Sequence, residues 1–388
     1  MTCRRRYLLL SLYAILLSLA TGAVSLADDR ATDKIRIYVA TYSAVDGEGI
    51  FRADFDADTG SIGTFLPTGG ITSPASIVPH PSGNYLYATS LIDDEQGQPT
   101  GAVVAFSVDP SSGELTEIDR RTAGGTGPCY LACDPSGKFL VVANCGTATV
   151  GCFSLTDDGR FGESATVIQH EGESRNGEGK PQAHSINVSP SGRFAVAADL
   201  GLDRLFLYRL DEESGKMTPH ETPSIDVPQG AGPRHLTFHP SGRFAYVIGE
   251  LGNSVTACAF DDESGGLRPL QNISSLPADF EGESYAADIQ IHPQGSFLYG
   301  TNRGDDSLAM WRVNSKSGRL TATGFIPSGG KFPRSAAIDP AGRFLIAANQ
   351  KSDNLAVFRI DPQSGELTSA GEPTTVPQPV CVKFLRAP

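Results

Sequence analysis

Four side chains that can activate an ester carbonyl or a water molecule lie between residues 184 and 303. They are His184, Arg234, Glu250 and Arg303. Cleavage of an ester or lactone needs a base for the attacking water and a hydrogen-bond donor for the developing oxyanion. An imidazole or a carboxylate can act as the base, whereas a guanidinium can donate to the oxyanion or bind an anionic group. These residue types therefore favour hydrolysis of an ester or lactone, provided that the fold brings them together.

A second set of polar residues interrupts the apolar pattern at corresponding places and is predicted to bind substrate. Its members are His235, Asp199, Asp288, Arg334 and Gln350. Ion pairs between Arg234 and Glu250 and between Arg303 and Asp288 would give the same residues a purely structural role. The sequence alone leaves these two interpretations open.

The elements that must position these residues belong to an internal repeat. A Pro-x-Gly turn recurs at intervals of 47 to 55 residues, beginning at Pro81 and ending at Pro340. A second turn runs from an acidic or polar residue to a glycine and occurs seven times, from Gly60 to Gly365. Between the turns lie short runs rich in β-branched and aromatic residues, which is typical of strands. Four strands in about 50 residues predict one blade of a β-propeller.

The two ends of the repeat array complete each other. Val380–Leu385 reads as a first strand with no hairpin after it, and Lys34–Ser43 reads as a second strand with none before it. Pairing them gives seven blades and removes the exposed edges of an open array. The predicted fold is therefore all-β, a seven-bladed propeller of four antiparallel strands per blade, in a single domain spanning residues 28–388.

Hairpin topology places the start of each first strand and the end of each second strand on the same face of the ring. The candidate residues occupy these two positions in successive blades. We therefore expect one polar site around the mouth of the central channel. Arg193, Arg243 and Arg343 follow the Pro-x-Gly turns and are expected on the opposite face, with a structural role.

The first 27 residues differ in composition from the rest of the chain. Arg4, Arg5 and Arg6 precede an apolar run, and small residues stand before Asp28. This order is typical of a secretory signal peptide, so an exported protein, periplasmic or secreted, is predicted. An uncleaved membrane anchor is the alternative.

Composition and motifs also restrict the partners. The formal net charge is −13, which disfavours binding to nucleic acid or to an anionic membrane. His-x-His and EF-hand patterns, phosphate-binding glycine loops and Gly-x-Ser-x-Gly elbows are absent from the sequence, so no metal and no cofactor is expected. A small anionic or lactone substrate is the predicted partner. The oligomeric state is not predicted.

Four stretches carry a family resemblance: KPQAHSINVSPSGRF, GAGPRHLTFHPSGRFAYVIGEL, ADIQIHPQGSFLYGTNRGDDSLAMW and FPRSAAIDPAGRFLIAANQKSDNLAVF. With them the chain resembles the bacterial 6-phosphogluconolactonases and the related carboxy-cis,cis-muconate cyclases, which are seven-bladed propellers. The resemblance implies that His184, Arg234, Glu250 and Arg303 line the site at the channel mouth.

The resemblance implies a lactonase that hydrolyses a sugar-type lactone. Two alternatives remain open at this point: a cyclase or isomerase of the muconate type, and a propeller that binds a ligand without catalysis.

Overall fold

The computed structural model describes residues 35–43, 45–93, 99–174, 177 and 179–386. These residues form seven antiparallel sheets of at least four strands each. The predicted signal peptide lies outside the described residues. One short 3-10 helix, Gln350–Ser352, accompanies the strands, and no helix of the described ranges is long and apolar enough to cross a bilayer.

The strands are numbered in chain order, and each blade is given from its inner to its outer strand. Blade 1 contains β29 (Pro379–Arg386), β1 (Ile35–Thr41), β2 (Ile50–Phe55) and β3 (Leu66–Thr68). Blade 2 contains β4 (Ile77–Pro79), β5 (Tyr85–Asp93), β6 (Pro99–Val108) and β7 (Leu115–Thr122). Blade 3 contains β8 (Pro128–Cys133), β9 (Phe139–Asn144), β10 (Thr149–Leu155) and β11 (Phe161–Gln169). Blade 4 contains β12 (Ala183–Val188), β13 (Phe194–Asp199), β14 (Arg204–Leu210) and β15 (Met217–Asp226).

The remaining blades follow the same order. Blade 5 contains β16 (Pro233–Phe238), β17 (Phe244–Gly249), β18 (Ser254–Asp261) and β19 (Gly266–Ser274). Blade 6 contains β20 (Tyr285–Ile291), β21 (Phe297–Arg303), β22 (Ser307–Val313) and β23 (Leu320–Pro327). Blade 7 contains β24 (Pro333–Ile338), β25 (Phe344–Asn349), β26 (Asn354–Ile360) and β27 (Leu367–Ser369), with β28 (Thr374–Thr375) also paired to β26.

The ring closes as the sequence predicts. The inner strand β29 pairs antiparallel with β1, so that Val382 faces Val39 and Phe384 faces Ile37. The all-β, seven-bladed fold with four antiparallel strands per blade is therefore confirmed.

The apolar core is divided among the blade interfaces. Seven clusters of buried side chains each join two neighbouring blades. One of them joins blade 7 to blade 1, through Phe344 and Phe55 among others. Because neighbouring blades cover both faces of each blade, the second strands are continuous apolar runs in the sequence.

The glycine of the second repeated turn makes the contact between blades. Gly265 has φ +81°, and a Cβ placed on it would lie 2.4 Å from the ring of Phe194 in the preceding blade. Gly60 has the same relation to Phe344 and so joins the first blade to the seventh. Only glycine tolerates both the left-handed backbone and the close approach, which explains why this turn recurs in every blade.

Candidate active site

A β-bulge near the start of the inner strand recurs in six of the seven blades. In β16, Pro233 pairs with Gly249 and His235 with Ile248, so that Arg234 is left without a partner on the neighbouring strand. The equivalent unpaired residues are Val380, Cys129, His184, the pair Ala287–Asp288, and Arg334. A bulge bends the strand locally and redirects the side chain of the extra residue.

Most of the bulged residues meet in one cavity between the inner strands. Cys129, Arg234, Asp288, Arg334 and Val380 all line it. The cavity has a volume of about 20 Å³, which is close to the space occupied by one water molecule. The bulges therefore gather side chains from five blades around one cavity between the inner strands.

Glu250 joins the two arginines of the predicted catalytic group. Its Oε2 accepts a hydrogen bond of 2.8 Å from Arg234 Nε and forms an ion pair of 3.0 Å with Arg303 Nη2. Burial alone would raise the pKa of Glu250, but the two guanidinium groups outweigh burial and lower it. The carboxylate is therefore ionised and fixes both arginines.

Both arginines are also held by backbone carbonyls. Arg234 Nη1 donates to Ala287 O at 2.7 Å, and Arg303 Nε donates to Tyr285 O at 3.1 Å. Burial, together with the neighbouring arginines, lowers the pKa of Arg234 to about 10, which still leaves it charged at neutral pH.

The contacts of His235 determine its tautomer. Arg234 Nη1 lies 2.9 Å from His235 Nε2, and an arginine can only donate, so Nε2 accepts. His235 Nδ1 therefore carries the proton and donates to Asp288 Oδ1 at 2.9 Å. Burial first, and then Arg234, lowers the pKa of His235 to about 4. His235 is therefore a neutral link between Arg234 and Asp288.

His184 differs from His235 in having no such partners. Its ring centroid lies 5.4 Å from that of His235, and its Nδ1 is buried without a hydrogen-bond partner among the described residues. Burial, followed by the charge of Arg234, lowers the pKa of His184 well below its usual value. His184 is therefore a neutral imidazole with a buried Nδ1 that makes no hydrogen bond within the described part of the chain.

Several donors of the site are likewise unused within the described part of the chain. Nη2 of Arg234 and Nη1 of Arg303 make no hydrogen bond there. The guanidinium group of Arg334 has no hydrogen-bond partner there and lies 5.6 Å from the centre of the Tyr42 ring. Three cationic groups around one site can therefore donate to an oxygen-rich ligand.

Two of the predicted substrate-binding residues, Asp199 and Gln350, contact other parts of the chain. Asp199 is fully buried, accepts hydrogen bonds from the backbone N–H groups of Gln182 and Leu202, and lies 2.7 Å from His170 Nδ1. Asp199 therefore anchors the chain that enters β12, and its contact with substrate stays a prediction. Gln350 starts the 3-10 helix and donates its backbone N–H to Phe332 O.

The ion pair suggested between Arg303 and Asp288 is not formed. Asp288 faces His235, whereas Arg303 faces Glu250 in the neighbouring blade. Arg193 and Arg243 bond to backbone carbonyls of the adjacent blade, in agreement with their expected structural role.

Several further residues of the cavity were not among the site residues predicted from the sequence. Lys383 lies on β29 and lines the cavity with Tyr130 and Cys129. Tyr130 packs edge-on against His235, with 4.8 Å between the ring centres. A single lysine within the apolar run VCVKFL is the signal that could have identified Lys383.

The fold and this cluster define a seven-bladed β-propeller with a polar site built on its inner strands. Residues 36–384 match the family model described as Lactonase, 7-bladed beta-propeller. The chain therefore belongs to this lactonase family, whose activity is hydrolysis of cyclic esters.

Named relatives agree with the assignment. The chain is 34% identical over 349 residues to the 6-phosphogluconolactonase of Bacillus subtilis, covering 90% of this chain and 97% of the relative. It is 32% identical over 297 residues to the 6-phosphogluconolactonase of Formosa agariphila, covering 75% and 82%. The solved structure of the periplasmic gluconolactonase of Pseudomonas aeruginosa is similar with a TM-score of 0.81 and 31% identity, covering 92% of this chain and all of that one.

Proposed function

We propose that the protein is an exported lactonase that hydrolyses a sugar-type lactone at the end of the channel where the bulged residues lie. The observation that carries the proposal is the bridge from Glu250 to Arg234 and Arg303. It fixes two guanidinium groups and leaves one donor nitrogen of each free. Preorganised donors of this kind stabilise the charge that develops on a carbonyl oxygen.

In the proposed reaction, Arg234 donates to the lactone carbonyl oxygen, and Arg303 or Arg334 holds the rest of the substrate. His184 takes a proton from water, and the resulting hydroxide adds to the carbonyl carbon. The ring C–O bond then breaks, and the proton returns from His184 to the departing alkoxide, giving a hydroxy acid.

His184 suits the role of base better than Glu250. Glu250 Oε2 is already occupied by two guanidinium groups, whereas the imidazole of His184 has an unused nitrogen. Glu250 is therefore assigned to positioning the arginines, and His235, held by Asp288, to supporting Arg234.

Export is supported by the order of charged, apolar and small residues before Asp28. It is also supported by the similarity to a periplasmic gluconolactonase. Protein isolated from the exported fraction is expected to begin at Asp28 when it is read by N-terminal sequencing.

The activity test compares hydrolysis of gluconolactone and its 6-phospho form by wild type, Arg234→Ala and His184→Ala in a pH-stat. Arg234→Ala should lower kcat by about 10²- to 10³-fold, because an oxyanion donor is lost. His184→Ala should lower kcat by about 10²-fold or more, because the base is lost. Glu250→Gln, which loses the charge of the bridge, should also reduce kcat.

The matched controls are an arginine and a glutamate outside the cluster. Arg243→Ala and Glu221→Gln change exposed residues whose contacts lie outside the cluster, and both should retain wild-type rates. Circular dichroism verifies that each variant is folded. Wild-type turnover in folded Arg234→Ala and His184→Ala would remove the catalytic assignment.

A further inference from the structure

A second concavity of about 250 Å³ adjoins the site on the side of Arg303. We call it the Phe332 concavity, and its walls include Arg303, Lys331, Phe332, Lys351 and Tyr285. It is roomier than the cavity between the inner strands. Because Arg303 and Arg234 contact the same Glu250 oxygen, the concavity lies beside the proposed reaction centre.

The concavity carries a cluster of positive charges, although the protein as a whole is acidic. Three of its wall residues, Arg303, Lys331 and Lys351, are cationic. Neither lysine forms an ion pair with any residue that the structure describes. Two ammonium groups that form no ion pair within the described chain therefore stand next to a guanidinium group.

Phe332 brings two of these cations together. Lys351 Nζ lies 3.9 Å and Arg303 Cζ 5.2 Å from the centre of its ring. An aromatic ring attracts cations to its face. The ring of Phe332 therefore counteracts the mutual repulsion of the two positive groups.

The backbone of Phe332 has a conformation that favours glycine. Phe332 has φ +62°, a left-handed conformation that is strained for a bulky residue. In blades 3 and 5 the residue at this place, directly before the proline of the inner strand, is Gly127 or Gly232. Strained residues of this kind concentrate at functional sites.

From these observations we infer that the Phe332 concavity binds an anionic substituent, phosphate or carboxylate, carried by the lactone, with Lys331 and Lys351 as the specificity-determining residues. The inference rests on the proposed function. It places the anionic group beside Arg303 while the lactone carbonyl faces Arg234.

Two acidic residues, Asp306 and Glu283, also line the concavity and reduce its net positive charge. Asp306 Oδ1 is occupied by the backbone N–H of Phe332 at 2.7 Å. Glu283 is exposed and has no ion-pair partner among the described residues. Removing the charge of Glu283 should therefore strengthen binding of an anion.

Binding of three acids that share one carbon chain tests the inference independently of turnover. Gluconate, glucarate and 6-phosphogluconate differ at carbon 6, which carries a hydroxyl, a carboxylate or a phosphate. Calorimetry should give tighter binding of one or both of the last two than of gluconate, by about tenfold, the scale of one charge-assisted contact. Comparing glucarate with 6-phosphogluconate identifies which anion fits.

The variants are expected to change the preference for the charged acids in opposite directions. The double variant Lys331→Ala/Lys351→Ala should abolish the preference for the charged acids and leave gluconate binding unchanged. Phe332→Gly should stay folded, because glycine accepts the backbone conformation, and should also reduce the preference. Glu283→Gln should increase it, and Lys316→Ala, a lysine in an exposed turn between β22 and β23, should have no effect.

The two hypotheses fail in distinguishable ways. An unchanged preference in the double variant, or equal binding of all three acids by wild type, overturns the inference even if gluconolactone is hydrolysed. Preferential binding that the double variant loses, without turnover of either lactone, supports the inference about the site and contradicts hydrolysis.

Discussion

The two histidines next to Arg234 have different chemical states because of their immediate neighbours. His235 is held between a donor, Arg234, and an acceptor, Asp288, and its proton is therefore fixed on Nδ1. His184 has an unused ring nitrogen. The two similar residues thereby differ: His235 is fixed between Arg234 and Asp288, whereas Nδ1 of His184 makes no hydrogen bond within the described part of the chain.

Titration of His235 should appear in the stability of the protein. Burial and Arg234 lower its pKa to about 4 in the folded state, compared with about 6.5 in the unfolded chain. Between these values the unfolded chain binds more protons, so the free energy of unfolding should fall as the pH is lowered from 6.5 to 4. The contribution of this one residue is about 3 kcal/mol.

Urea unfolding at several pH values measures this dependence. His235→Gln has no imidazole to titrate and should lose less stability between pH 6.5 and 4 than wild type does. Parallel pH profiles for wild type and His235→Gln would contradict the assignment of a lowered pKa. Above about pH 7.5 the imidazole of His235 is deprotonated in both the folded and the unfolded chain, so the contribution of His235 to the free energy of unfolding should be constant.

Residue types and chain order predict which side chains approach each other, but not their partners. Arg234, Glu250 and Arg303 meet as the blade topology requires. The partner of Arg303 could not be predicted, because Glu250 and Asp288 both stand within reach of the same face. Asp199 resembles them in its position at the end of a second strand, yet its neighbour His170 comes from a loop whose path the repeat does not specify.

A recurring turn connects each blade to the inner strand of the next. The residue before the third strand has a left-handed backbone in blades 4 to 7, and its side chain accepts hydrogen bonds from the segment that leads into the following bulge. The residues are Asp203, Asn253, Asp306 and Asp353, and the backbone N–H donors include those of Gly232, Ala286, Phe332 and Gln378. Asp and Asn tolerate this conformation better than other side chains.

Asp306 offers a test of this connection. Asp306→Ala removes the acceptor for Phe332 N–H and places an alanine at φ +55°. We expect a loss of about 1–3 kcal/mol in the free energy of unfolding and a lower kcat, because Arg334 follows two residues after Phe332.

Asp306→Asn is the matched control for this prediction. It keeps an oxygen acceptor and the tolerance for a left-handed backbone, so its stability, and its kcat for gluconolactone, which carries no anionic substituent, should stay near wild type. Chemical unfolding and the pH-stat assay measure both quantities. Equal stability of Asp306→Ala and wild type would contradict a role in positioning.

The strands were predictable from the sequence, whereas the bulges were not. Apolar runs and glycine turns define the four strands of a blade, but the extra residue of a bulge has the same chemical types as a regular one. A proline directly precedes the bulged residue at four of these places, before Cys129, Arg234, Arg334 and Val380. Proline lacks the N–H needed for regular pairing, and so it marks the place where the ladder is irregular.

At the scale of the whole molecule, stability is distributed around a ring. Each of the seven apolar clusters contains residues of two blades, and the cluster between blades 7 and 1 forms only when the ring is closed. The sequence predicted this closure because the two ends of the chain are complementary parts of one blade.

Removal of β29 tests the importance of closure. A chain that ends at Gln378 loses the inner strand of blade 1 and exposes the edge of β1, whose seven residues are all buried in the intact ring. We expect this variant to be aggregated or partly unfolded, since unpaired apolar edges associate. A variant that ends at Arg386 keeps β29 and serves as the control in size-exclusion chromatography and circular dichroism. A soluble, folded chain ending at Gln378 would contradict the prediction.

The position of β29 also has a consequence for the timing of activity. Val380, Cys381 and Lys383 belong to the wall of the cavity, and they leave the ribosome after every other strand. A nascent chain therefore lacks part of the wall beside Arg334 until its synthesis is nearly finished. Under the proposed function, lactone hydrolysis would begin only once translation of the whole propeller is complete, and a prematurely terminated product would be catalytically silent.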